Sequence, residues 1–155
     1  MSGTLVVCAT PIGNLGDVTA RLADELAAAD LILAEDTRRT GTLLNHLGVT
    51  TPMKSYFAGN ERARNDELRD VLRSGLRVAL VSDAGTPSVS DPGASAVAVA
   101  IEVGATVTAV PGPSAAITAL SLSSFSGDRF VFEGFLPRKG SVRAEAIARI
   151  ASDER

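Results

Sequence analysis

Six short aliphatic or β-branched runs, each separated from the next by a stretch of helical period, constrain this chain more than anything else in it. The runs are Thr4–Ala9, Leu31–Ala34, Met53–Tyr56, Arg77–Val81, Thr106–Val110 and Phe130–Glu133. Between and after them the spacing predicts helices over Thr19–Ala29, Thr40–His46, Asn60–Ser74, Ala94–Val103, Ser114–Leu122 and Val142–Ile150. In the first helix Leu22 and Leu26 stand four residues apart, with Ala23 and Ala27 beside them on one face. Asp17 or Thr19 is placed to cap its start, and Gly48, Gly75 and Gly104 are placed to end later helices. Strands joined through helices run parallel, so the expected fold is α/β: a doubly wound, mainly parallel sheet with helices on both faces.

The segments after the strands are unusual. TPIGNLGD (10–17) comes after the first, EDTRRT (35–40) after the second, SDAGTPSVSDPG (82–93) after the fourth and PGPS (111–114) after the fifth. Connections of this kind need only a few residues, yet the third of these has twelve, stiffened by Pro87 and Pro92. All four lie at carboxyl ends of parallel strands, the edge at which open α/β sheets bind ligands. A pocket is expected there; a rigid surface loop with no ligand is the plain alternative.

Composition narrows the chemistry. A chain of 155 residues, 45% hydrophobic and 21% charged, has room for one soluble domain with a core and little room for two. No apolar run approaches a membrane span, and no export signal is legible, which points to the cytoplasm. Cys8 is the single cysteine and reads as a core residue, and His46 is the single histidine, so no metal site is expected. The net charge of −3 argues against a strongly basic nucleic-acid clamp, although a local patch stays open. The first loop lacks G-x-G-x-x-G, and neither Lys54 nor Lys139 follows a glycine. Dinucleotide and P-loop phosphate sites are therefore disfavoured. Backbone groups, small side chains, hydroxyls and the carboxylates of Asp83 and Asp91 suit a ligand with hydroxyls, an adenine edge and a positive charge. S-adenosylmethionine has those features.

Five segments carry a resemblance. ATPIGNLGDVT (9–19), LILAEDTRRT (31–40), VALVSDAGTPSVSDPG (78–93), VPGPSAAITAL (110–120) and FEGFLPRKG (132–140) together resemble the tetrapyrrole-methylase superfamily. Within it they look like the small-subunit ribosomal RNA methyltransferase I branch. That resemblance implies S-adenosylmethionine as cofactor, 2′-O-methylation of a cytidine ribose in 16S rRNA, and a homodimer. It also implies cofactor contacts from Ile12, from Asp83, Ala84, Gly85 and Thr86 with Val89, and from Ser114 and Ala115. Ser114 can serve as a helix cap or hold a carboxylate.

Glu35, Asp36 and Arg38 are the catalytic candidates at the pocket rim. Asp36 is placed to accept the hydroxyl proton or orient the ribose, and Arg38 to grip a flanking phosphate. A surface ion-pair cluster that merely ends the strand reads as well. Arg138, Lys139 and Arg143 are the candidates for RNA phosphates. The helix arginines Arg62, Arg64, Arg69 and Arg73 read as a solvated face. Phe57, Ala58 and Gly59 depart from a family segment richer in histidine, so that segment is assigned no chemistry.

Members of this family continue into a second α/β domain, with the cofactor in the cleft between the two. The expected organisation is a cofactor-binding domain over 1–123 and, over 124–155, a linker and the start of a second domain. A piece of that extent is expected to fold, to bind S-adenosylmethionine weakly or not at all, and to be inactive alone. Two further readings stay open: a superfamily enzyme acting on a tetrapyrrole or modified protein side chain, and a non-catalytic ligand-binding module.

Overall fold

Side chains alternate across a strand, so a run that is apolar at every position can be buried only if both faces of its sheet are covered. In the computed structural model, which describes residues 2–153, five of the six runs become strands. They are β1 (Thr4–Cys8), β2 (Leu31–Ala34), β3 (Met53–Ser55), β4 (Arg77–Val81) and β5 (Thr106–Val110). These pair in parallel in the order β3-β2-β4-β1-β5. The central strands β2, β4 and β1 are covered on both faces, while β5 at one edge buries Val110 and leaves its first four residues exposed. The helices are α1 (Ala20–Ala28), α2 (Thr37–Leu47), α3 (Glu61–Arg73), α4 (Ala94–Glu102), α5 (Ala115–Ser121) and α6 (Ser141–Ala151). None is long and apolar enough to cross a membrane. The chain divides into two compact units, 1–115 and 116–155.

The alternation sorts the core into two layers. Val6, Cys8, Ile32, Ala34, Ala79 and Val81 face one side, where Leu22 and Leu26 of α1 and Leu43 and Leu44 of α2 cover them. Leu5, Leu33, Val78 and Leu80 face the other side, under Leu68 and Leu72 of α3 and Ala96, Val99 and Ala100 of α4. Burying one such leucine contributes about 1.5–3 kcal/mol, against about 0–1 kcal/mol for an exposed ion pair. The apolar faces therefore hold the helices on the sheet. Pairs such as Arg77–Glu25, with guanidinium and carboxylate 2.5 and 2.8 Å apart, set register between α1 and β4.

Local signals explain the helix ends. Thr19 Oγ1 accepts from Leu22 N–H and starts α1. Gly48, at φ +67, closes α2 in the left-handed conformation that favours glycine. α2 starts earlier than the expected Thr40, because the Asp36 carboxylate accepts from Arg38 N–H and caps the helix at Thr37.

One expected element is absent. Phe130–Glu133 is not a strand. No described strand pairs with it, and Phe130, Val131 and Phe132 stay 41–50% exposed. A strand needs a neighbour for its backbone groups, which an apolar run cannot provide by itself.

The order of strands also sets where loops meet. β1 leaves through α1 on one face, and its neighbour β4 leaves through α4 on the other. Adjacent strands whose connections part to opposite faces open a crevice at their carboxyl ends.

Candidate active site at the carboxyl edge of the sheet

That crevice is built by mutual hydrogen bonding of the loops. Thr10 N–H donates to Gly85 O at 2.9 Å, and Gly85 N–H returns the bond to Thr10 O at 3.1 Å. Thr10 Oγ1 also donates to Ser82 O, 3.3 Å away. Gly85 stands at φ +77, and a Cβ there would lie 3.5 Å from Ile12 Cγ2 and 3.8 Å from Pro113 O. The loops after β1, β4 and β5 thus come together at one glycine. Gly112 permits a similar approach, since a Cβ on it would meet Ala9 Cβ at 3.0 Å.

The loop after β2 joins from the other side. Asp83 N–H donates to Glu35 Oε2 at 3.1 Å, while Asp36 N–H donates to Asp83 Oδ1 at 3.0 Å. Each loop therefore holds the other's carboxylate. Burial pushes the Glu35 carboxyl above its ordinary range, and the Asp83 and Asp91 charges add to it against the opposing bond from Asp83 N–H. Asp91 is raised as well, chiefly by burial. Asp36 goes the opposite way. Arg38 grips it with Nε at 3.1 Å and Nη2 at 2.7 Å. That clasp holds the Asp36 carboxyl well below the usual carboxylate range.

The segment 82–93 is tightly constrained. Ser88 and Ser90 adopt φ of +70 and +61, uncommon for residues other than glycine. Gly93 N–H donates to Glu61 Oε1 at 3.1 Å, which braces the loop against the first turn of α3. A Cβ on Gly93 would come within 2.7 Å of Ser88 Oγ, and that hydroxyl is buried without a hydrogen-bond partner among the described residues. Such strain persists only where surrounding structure imposes it, and it clusters at ligand sites.

Of the expected cofactor contacts, Ile12, Asp83, Ala84, Gly85, Thr86 and Val89 share this edge, with Val89 51% exposed. Ser114 and Ala115 lie at the start of α5, beside Pro113. Ser114 makes no side-chain hydrogen bond with another described residue, so its hydroxyl is not used for capping. Ile12, Asp83 and Ala84 also line a cavity of about 350 Å³, together with Asn14, Leu15, Arg39, Thr42 and Leu43. Glu35, Asp36 and Arg38 do not line it. Arg138, Lys139 and Arg143 belong to the 116–155 unit, where Arg143 Nη1 donates to Pro137 O at 3.1 Å.

Three contributors escaped the reading of the sequence. Glu61 acts on a loop 32 residues away, a relation that only strand order creates. Arg39 reaches the cavity while its neighbour Arg38 turns to Asp36, a difference that follows from their positions on α2. Thr10 could have been noticed as a hydroxyl residue at the end of an apolar run. Among the described residues, no group of three or more His, Cys, Asp or Glu is placed to hold a metal.

The arrangement fits a compact, partly cationic ligand. The gap at Gly85 is one that a single Cβ would fill, and Glu35, Asp83 and Asp91 make the neighbourhood anionic.

Comparison with known proteins points the same way. Residues 4–155 match the model of the tetrapyrrole (corrin/porphyrin) methylases. A ribosomal RNA small subunit methyltransferase I of Synechocystis sp. is 50% identical over 99% of this chain and 55% of its own length. The protein of the same name in Haemophilus influenzae is 46% identical, covering 100% of this chain and 55% of that one. The chain therefore spans about half the length of these curated relatives. Among solved structures, a uroporphyrin-III-C-methyltransferase from Thermus thermophilus superposes with a TM-score of 0.59 at 22% identity, over 77% of this chain and 50% of that one. That likeness shows the fold.

Proposed function

This chain belongs to the tetrapyrrole (corrin/porphyrin) methylase family, and on that footing we propose that it forms the cofactor side of an rRNA methyltransferase. The cofactor is S-adenosylmethionine, and the target is the 2′-hydroxyl of a cytidine ribose in 16S rRNA of the small ribosomal subunit. The observation that carries this reading is the meeting of Ile12, Gly85 and Pro113 at the switch point, beside the Glu35, Asp83 and Asp91 carboxylates.

When bound, S-adenosylmethionine supplies an electrophilic methyl group on a cationic sulfur. The chain's own part is positioning and proton handling. Asp83, Ala84, Gly85, Thr86 and Val89 cradle the cofactor from one side. Ile12 closes the cradle from the β1 loop, and Ser114 and Ala115 offer polar contacts from the β5 loop. All of these lie at or before Ala115, so a boundary after 115 or after 123 leaves them together.

Among the catalytic candidates, the raised carboxyl of Glu35 suits a base for the ribose hydroxyl, since a base works best with its pKa near the operating pH. Asp36 and Arg38 form a fixed pair at the rim, with Asp36 anchoring α2. Arg138, Lys139 and Arg143 hold RNA phosphates from the second unit. The working form is a cytoplasmic homodimer.

The test is methyl transfer by the full-length protein from radiolabelled S-adenosylmethionine to small ribosomal subunits, with the label mapped on the rRNA. Label on a cytidine 2′-oxygen is expected. Label confined to tetrapyrroles, or none on rRNA, overturns the reading. Glu35→Gln is expected to slow single-turnover transfer by about 100-fold or more, and a wild-type rate removes Glu35 from the chemistry.

A further inference from the structure

Between the 10–15 loop and the first turns of α2 lies the cavity of about 350 Å³. Small-ligand pockets run upward from about 300 Å³, so it is large enough to matter. Its walls divide by chemistry. Ile12, Leu15 and Leu43 are apolar, and Leu15 is 38% exposed. Arg39, Asp83 and Asn14 are polar, with the Asp83 carboxylate 3.5 Å from Arg39, and Asn14 Oδ1 is occupied by Gly16 N–H at 2.9 Å. Thr42 Oγ1 donates to Arg38 O at 3.3 Å. Arg39 is the lining cation, 67% exposed, and among the described residues it pairs with Asp83 alone, through Nη1 at 3.5 Å.

Arg38 and Arg39 therefore differ sharply. Arg38 gives Nε and Nη2 to one carboxylate in a bidentate clasp. Arg39 has a single long contact and keeps most of its five N–H donors free for a ligand. Asp83, which orients it, is the same residue that ties the β2 and β4 loops together. A cavity with an aliphatic wall and one undercommitted guanidinium in its lining has the chemistry of a nucleotide site. The flat base lies on aliphatic side chains, and the guanidinium forks onto a phosphate.

We propose that Arg39, rather than Arg38, holds a phosphate flanking the target nucleotide, whose base lies against Leu15 and Leu43. This rests on the rRNA methyltransferase reading and names the substrate side of the same site. Asp83 then faces two ways, carrying Arg39 on one side and the cofactor cradle on the other. Occupation of this cavity would place a ribose beside the loop that carries the cofactor.

The experiment compares wild type, Arg39→Ala, Arg39→Lys and Arg73→Ala in the full-length protein with small ribosomal subunits. Arg73 lies on the exposed face of α3 and serves as the control. Arg39→Ala is expected to raise KM for subunits by about 10-fold or more, with kcat and the Kd for S-adenosylmethionine within about twofold. Its slope of log kcat/KM against log salt should become shallower by about 0.7–0.9, the loss of one phosphate contact. Arg39→Lys should keep the slope and recover part of KM, which also shows that the site remains folded. Arg39→Ala with wild-type KM and slope overturns the assignment of Arg39 alone. A wild-type protein that transfers no methyl to subunits removes the rRNA reading and this assignment together.

Discussion

Thr10 and Gly85 exchange both of their backbone hydrogen bonds, at 2.9 and 3.1 Å, across the gap between neighbouring loops. They are 75 positions apart, and neither lies within a strand of the sheet. This two-residue bridge holds the β1 and β4 loops in register past the end of the sheet. Everything proposed for the cofactor depends on that register.

Gly85→Ala tests the bridge. The new Cβ would make ordinary contacts at 3.5 and 3.8 Å, so steric conflict is minor and the cost comes from φ +77. A left-handed non-glycine residue costs about 1–2 kcal/mol. Chemical denaturation should show a loss of that size, and S-adenosylmethionine affinity of the full-length protein should fall further than stability does. Unchanged stability would mean that the backbone relaxes to negative φ and the bridge is dispensable.

Glu35 makes stability depend on pH. Its folded carboxyl is raised above the ordinary value of 4.5, first by burial. A raised acid binds its proton more readily in the folded state, so this contribution is fully present below the ordinary value and is lost as pH climbs through the folded one. Glu35→Gln retains an oxygen for Asp83 N–H and has no charge to desolvate. The variant should gain stability relative to wild type as pH rises from 4.5 towards neutrality, and lose that advantage below 4.5. Denaturation midpoints measured across that window would show it, and parallel curves would refute it.

Cys8 should report unfolding. It is wholly buried in β1, and burial is the main cause that pushes its thiol up to about 12. Thiolate, the reactive form, is then scarce at about pH 8. Alkylation under those conditions should proceed only through opening of the sheet, with a rate that follows denaturant concentration. Fast labelling of the native protein would contradict the burial of β1.

Much of this was legible in advance, for identifiable reasons. Runs such as Arg77–Val81 declare themselves because period-two burial is a property of consecutive residues. The helix following each run declares itself through pairs such as Leu22 and Leu26. Phe130–Glu133 misled because apolar character alone supplies no partner strand. The start of α2 moved to Thr37 because Asp36 caps it, a signal present in DTRR but masked by reading the segment as a loop.

By itself the sequence determined that alternating strands and helices build a parallel sheet, and that four polar segments gather at its carboxyl edge. Hydrophobic periodicity and chain direction suffice for that. Only the tertiary structure decided which segments touch. The order β3-β2-β4-β1-β5 places β4 between β2 and β1, so Asp83 meets Glu35 and Gly85 meets Thr10. It likewise turned Arg38 to Asp36 and left Arg39 at the cavity. Adjacency of strands is settled by how helices cross and pack on the two faces, a sum of contacts between distant residues that no local pattern records.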